Sequence, residues 1–273
     1  MNTLILNRRG LMKLVPMICA ATAFGADKEA VEPWIAAMKE VHKEFKGTAG
    51  QVAQLGDSIT YTMAFWKPFS WADPDQYIPD DKLPKRPAEG RWRDVIKGAD
   101  DKGKGPEAGN YSGWRSGDLL KAVPKVLTGT KPEAAIIMIG TNDARGNQLG
   151  ADYAQNLEKI VTLCLEAKCV PILSTIPPMR GAAESVAKAN KIVQETAAKM
   201  KVPLVDYHAA ILTNAPGGKW DGTLISEDGV HPSGGETQNL SEENVKKSGL
   251  ALRNRVTFLK LREVWFKVLR AEK

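Results

Sequence analysis

Ala134-Ala135-Ile136-Ile137-Met138-Ile139 runs directly into Gly140-Thr141-Asn142-Asp143, and the architecture follows from this stretch. An unbroken apolar run bounded by turn residues leaves no polar face. That is the pattern of a strand buried on both sides. Downstream, Asp152–Ala167 sets Leu157, Ile160, Val161 and Leu165 at helical spacing. Val170–Ile176 reads as the next buried strand, Ala182–Met200 as a helix and Val202–Val205 as another strand. Upstream, Gln51–Leu55 is a short apolar-leaning strand ending in Gly56-Asp57-Ser58. Before it, Pro33 stands at the first position of a helix carrying Val31, Ile35, Met38, Val41 and Phe45, ended by Gly47 and Gly50. Leu119–Leu127 reads as a helix that Pro124 interrupts. Leu252 to Val268 reads as a long C-terminal helix with a basic outer face. Alternating strands and helices with connections of this length predict a parallel sheet covered on both faces.

The composition is that of an ordinary globular chain. Of 273 residues, 43% are apolar and 26% charged, which excludes a disordered or collagen-like protein. No apolar run is long enough for a polytopic membrane protein. His42, His208 and His231 are the only histidines, and the three cysteines form no CxxC, so neither a metal site nor a cofactor is expected. Cys164 and Cys169 read as buried thiols at a helix-to-strand junction, with a disulfide as the alternative.

The N-terminus has the layout of an export signal. Arg8 and Arg9 precede an apolar stretch from Leu11 to Ala23, and small residues follow to Ala26. Asn7-Arg8-Arg9-Gly10-Leu11-Met12-Lys13 is similar to a twin-arginine motif, with Asn and Leu as imperfect matches. Ile18 before Cys19 is too large for a lipoprotein signal. The expectation is a signal peptide over residues 1–26, one domain over 27–273, and a periplasmic or extracellular protein with no stable membrane insertion. Residues 1–26 hold three bases and no acid, so their removal lowers the formal charge from +6 to +3. That balance gives no reason to expect a nucleic-acid partner.

In open α/β sheets, ligands bind beyond the carboxyl ends of the strands. The polar, glycine-containing segments that fall there are Gly56-Asp57-Ser58, Ser112-Gly113, Gly140-Thr141-Asn142-Asp143 and, late in the chain, Asp228-Gly229-Val230-His231-Pro232. These parts suit acyl transfer. A serine hydroxyl needs a base, and histidine is the natural one near neutral pH. A carboxylate on the far ring nitrogen fixes the tautomer. The developing oxyanion needs preorganised N–H donors, which glycine backbone and a short amide supply. Each residue alone has a plainer reading: Ser58 as a helix cap, Asn142-Asp143 as a turn, His231-Pro232 as a helix start. His208, two residues after Asp206, is the rival base, although Asp206 also reads as the cap of a short helix. Asp57 and Asp143 read as residues that shape their turns.

Together and in this order, the four blocks resemble those of the SGNH/GDSL hydrolase superfamily, over residues 54–232. The resemblance implies a three-layer α/β/α sandwich with a mostly parallel, flavodoxin-like sheet. It implies Ser58 as nucleophile, His231 as base and Asp228 as its orienting carboxylate. The Ser58 N–H, the Gly113 N–H and the Asn142 side chain would form the oxyanion hole. The expected activity is that of a serine esterase removing short acyl groups, acetyl foremost, from small-molecule or glycan esters. A lipase or lysophospholipase and a non-catalytic glycan-binding protein are the alternatives. Proline- and acid-rich residues 67–90 offer no apolar lid for the former; an intact Ser58, Asn142, Asp228 and His231 argue against the latter. Two insertions depart from the family minimum, one between Ser58 and Gly113 and one at Ser233–Ser248. The first is rich in aromatic residues, and Trp66, Trp71 or Trp114 is expected to offer a flat face to a sugar.

Overall fold

The structure, a computed structural model, describes residues 32–271. The expected export segment, Cys19 and Val31 lie outside the described residues. In chain order the elements are α1 (Pro33–Lys43), β1 (Thr48–Gly56), α2 (Ser58–Tyr61), α3 (Trp92–Val95), α4 (Ser116–Thr130), β2 (Pro132–Met138), α5 (Tyr153–Glu166), β3 (Val170–Ser174), α6 (Ala183–Met200), β4 (Leu204–Val205), α7 (Tyr207–Asn214) and α8 (Gly249–Val264), which a π-turn, Trp265–Leu269, continues. The four strands are parallel and lie in the order β1-β2-β3-β4. Every residue of β2 and β3 is buried, as their continuous apolar character requires. Neighbours α4, α5 and α6 pack side by side, and α1 and α7 pack against α8 and its continuation. The result is the expected three-layer sandwich around a parallel sheet.

A flavodoxin-like sheet would carry one more strand outside β1. Here residues 97–110 meet that edge only at two isolated bridges, Gln51 with Lys97 and Gly56 with Asn110. Between them the chain loops away through two short 3-10 turns. The Asn110 side chain then takes over a strand's work, since its Nδ2 donates to Gln54 O at 2.7 Å.

Several boundaries differ from the sequence reading for local reasons. Gly50 lies inside β1 rather than ending α1. Its φ of +76° and the register shift between Thr48 and Val52 mark a bulge, and any Cβ there would meet Val95 O at 2.1 Å. α4 runs through Pro124 without a break. Pro124 is exposed, so the helix loses one backbone bond on the face where water can replace it. The bases of α8 do not share one outer face: Arg255 and Lys260 stay on its partly exposed side. Arg253 and Arg262 are both 1% exposed and turn into the protein. Cys164 on α5 and Cys169 just before β3 are free, buried thiols.

Candidate active site

Two strand ends, the loop before α4 and one late loop build the site. β1 ends at Gly56, and Asp57 caps α2 by accepting from Ile59 N at 3.0 Å. This places Ser58 at the first position of α2, where its N–H has no acceptor within the helix. Two residues after β2, Gly140 turns the chain at φ +127°, and a Cβ there would strike the Tyr153 ring. The Tyr153 hydroxyl donates to Ile139 O, and the turn delivers Asn142 and Asp143. The Asp143 carboxylate accepts from Ser116 N and from Ser116 Oγ at 2.6 Å. It thereby ties the end of β2 to the start of α4, three residues after Gly113. Burial pushes the Asp143 carboxyl upward, and the two Ser116 donors oppose that. Asn142 Nδ2 donates one hydrogen to Trp114 O at 3.0 Å, leaving its second for a ligand. Gly113 sits exposed at φ +81°.

The late loop completes the arrangement. Ser58 Oγ lies 2.9 Å from His231 Nε2, and His231 Nδ1 lies 2.6 Å from Asp228 Oδ2. Asp228 Oδ1 accepts from Val230 N, His231 N and the Ser226 hydroxyl. Partial burial would raise the Asp228 carboxyl, but these hydrogen bonds together hold it well below the usual carboxylate range. Asp228 therefore stays anionic beside the imidazole. A hydroxyl, a ring nitrogen and a carboxylate in line can activate the hydroxyl as a nucleophile. The triad is open to solvent: the His231 and Asp228 side chains are 41% and 49% exposed.

A match to the model of the GDSL-like lipase/acylhydrolase family covers residues 55–234. The chain belongs to that family. It is a carboxylic ester hydrolase of the GDSL type. No curated protein matches the sequence. Among solved structures, a GDSL-like lipase from Bacteroides thetaiotaomicron superposes with a TM-score of 0.53 at 17% identity, covering 85% of this chain and all of that one. An acetyl xylan esterase superposes with a TM-score of 0.52 at 15% identity, covering 79% of this chain and 100% of that one. A carbohydrate esterase family 3 protein from Talaromyces cellulolyticus gives 0.50 at 18% identity, covering 78% and 98%. These likenesses share the fold with the GDSL esterase.

The other candidates read from the sequence separate. His208 is not in the hydrogen-bonded line; Asp206 caps α7 by accepting from Ala209 N, as expected, and Thr175 Oγ1 donates to the same carboxylate oxygen. Trp66 cannot be a sugar platform. It is fully buried, edge-on to Phe69 at 4.9 Å, because the segment after α2 turns back into the core beneath α8. Trp71 is 52% exposed, with its carbonyl held by Arg93. Trp114 is half-buried beside Tyr111.

The reading from sequence missed the residues that brace the site. Arg253 from α8 donates to Ile59 O and Thr60 Oγ1 and lies 3.5 Å over the Phe65 ring. Burial lowers its guanidinium to about 10, while nearby Tyr207 and Asp57 pull the other way. Lys104 Nζ donates to Gln54 Oε1, Thr60 O and Phe65 O. Burial, with Arg253 close by, pushes Lys104 down to about 6, and three oxygen acceptors favour its ammonium form. The Arg253 guanidinium and the Lys104 amine thus hold the C-terminal carbonyls of the helix that starts with Ser58. Arg253 was legible in one respect: it falls on the same helical stripe as Leu250, Thr257 and Leu261.

Proposed function

We propose that this esterase hydrolyses short-chain acyl esters, acetyl foremost, carried on carbohydrate. The hydrogen-bonded line from Ser58 through His231 to Asp228 carries the reading. Ser58 Oγ attacks the ester carbonyl and its proton passes to His231 Nε2. The carbonyl oxygen becomes an oxyanion held by the Ser58 N–H, the Gly113 N–H and the free Asn142 amide hydrogen. The tetrahedral intermediate expels the alcohol, which takes the proton back from His231. Water, deprotonated by His231, then attacks acyl-Ser58 and releases the carboxylic acid. Asp228 orients the imidazole and stabilises its protonated form throughout.

One observation favours a sugar ester over a lipid, and the superposable structures, described as an acetyl xylan esterase, a carbohydrate esterase and a GDSL-like lipase, are compatible with it. Among the described residues, the exposed large apolar side chains are Met63, Trp71, Tyr111 and Leu212, too few for a face that rests on lipid. A p-nitrophenyl ester series is the test. Acetate should turn over at least tenfold faster than octanoate, and Ser58→Ala should lower turnover by ~10³-fold or more. Octanoate preference would transfer the protein to the lipase reading, and an active Ser58→Ala variant would remove the nucleophile. We also propose export by the signal in residues 1–26. N-terminal sequencing of protein recovered outside the cytoplasm should begin near Ala26, and an intact Met1 there would oppose it.

A further inference from the structure

Apart from Trp71 and Tyr77, the aromatic residues between Ser58 and Gly113 fall into two sets. Phe65, Trp66, Phe69 and Trp92 are buried and pack with Phe258 and Trp265 of the C-terminal helix. Tyr61 and Tyr111 do not join them. Tyr61 lies 5.2 Å from Tyr111, and Tyr111 lies 6.2 Å from Trp114, each pair tilted by about 50°. Tyr111 is 43% exposed and Tyr61 and Trp114 are half-buried. This second set is joined by backbone to the hydrolytic site at every member. Tyr61 lies one turn beyond Ser58 on α2. Tyr111 N donates to Gly56 O at 3.3 Å. Trp114 follows Gly113, and its carbonyl accepts from Asn142 Nδ2 at 3.0 Å. The rings and the N–H donors are therefore carried by the same short segments.

We propose that Tyr61, Tyr111 and Trp114 form the platform that holds the sugar ring bearing the ester, with Tyr111 as its central face. The proposal rests on the carbohydrate-ester reading and replaces Trp66 as the stacking residue. A pyranose presents C–H groups on its faces and hydroxyls around its rim. The negative face of an aromatic ring attracts the former, and the phenol and indole tips reach the latter. A half-exposed tyrosine on a Ser-Gly loop contributes little to the core, so its position at the mouth of the site needs another cause. Successive tilts give a stepped surface, suited to one ring per step rather than to a continuous alkyl chain.

The test compares an acetylated xylo-oligosaccharide with p-nitrophenyl acetate on the wild type, Tyr111→Ala, Tyr111→Phe and Ser58→Ala. The readout is the kcat/KM ratio of oligosaccharide to p-nitrophenyl ester. Tyr111→Ala should lower that ratio by about 3- to 10-fold, chiefly through KM, and Tyr111→Phe should restore most of it. An unmoved ratio in Tyr111→Ala, with melting temperature retained, overturns the platform. A wild type that cleaves p-nitrophenyl acetate but not the oligosaccharide overturns the carbohydrate-ester reading itself, and the platform with it. Failure of the esterase reading is distinct: it appears as p-nitrophenyl acetate turnover that survives Ser58→Ala.

Discussion

Asn142 shows how much one side chain is asked to do. It is almost buried, with its amide divided between Trp114 O and the mouth of the site. Removing it leaves Ser58, His231 and Asp228 in line, so binding of the ground state should change little. Asn142→Ala is expected to lower kcat by ~10²–10³-fold with a small change in KM, as for loss of one oxyanion donor. Steady-state kinetics on p-nitrophenyl acetate decide this, and a change confined to KM would make Asn142 a ground-state contact. At this scale the sequence was most legible. Ser58, Asn142, Asp228 and His231 sit in short motifs whose chemistry is local, and the structure brings Ser58, His231 and Asp228 into hydrogen-bonding line. Trp66 was not legible. Whether a ring faces water depends on what packs over it, and α8, some 190 residues away, covers Trp66 through Asn254.

At the scale of elements, the loop that carries Asp228 and His231 is held from outside. Arg180 makes a two-pronged contact with Asp221 at 2.7 and 2.8 Å and donates to Glu227 O. Its backbone N–H donates to Gly229 O, and Gly229 has no room for a Cβ against the Arg180 side chain. One arginine after β3 thus pins the start and the middle of the 221–231 loop. Exposed ion pairs contribute little alone, but a bidentate arginine fixes geometry. Arg180→Ala should lower kcat by roughly tenfold, since small misplacements of a catalytic group are costly. KM should move less, and Arg180→Lys should recover only part. Wild-type kcat in Arg180→Ala would mean the loop holds its own shape. The sequence located the late loop but not its brace, because Arg180 and Asp221 pair across 41 residues with no motif. The same limit hid Arg253 and Lys104, which hold α2 from other parts of the chain. By contrast, β2, β3, α5 and α6 were legible to within a residue or two, since burial on both faces and amphipathic spacing are written locally.

Across the whole molecule, the catalytic groups occupy one pole of the sheet and a buried carboxylate anchors the other. Glu133, at the start of β2 and 2% exposed, accepts from His42 of α1 at 2.9 Å, from Gly50 N in the β1 bulge, and from Arg270 after α8 at 2.6 and 3.1 Å. It thus links both ends of the described chain to the centre of the sheet. Burial works to raise its pKa, but the donors from His42, Arg270 and Gly50 win and hold it at about 2, against 4.5 for a free glutamate. The sign follows from proton counting. Between pH 4.5 and 2 the unfolded chain binds a proton at Glu133 that the folded chain does not. The contribution is complete above pH 4.5 and is lost as pH falls toward 2. Its size is roughly 1–3 kcal/mol. Glu133→Gln should be less stable than wild type by about that amount at pH 7, and the gap should close on acidification through this window. Urea unfolding of both proteins at pH 7, 4.5 and 3 measures it. A gap that stays constant with pH would mean the variant loses packing and hydrogen-bond geometry rather than a charge. Ester turnover at pH 7 should remain, because the sheet lies between this anchor and Ser58.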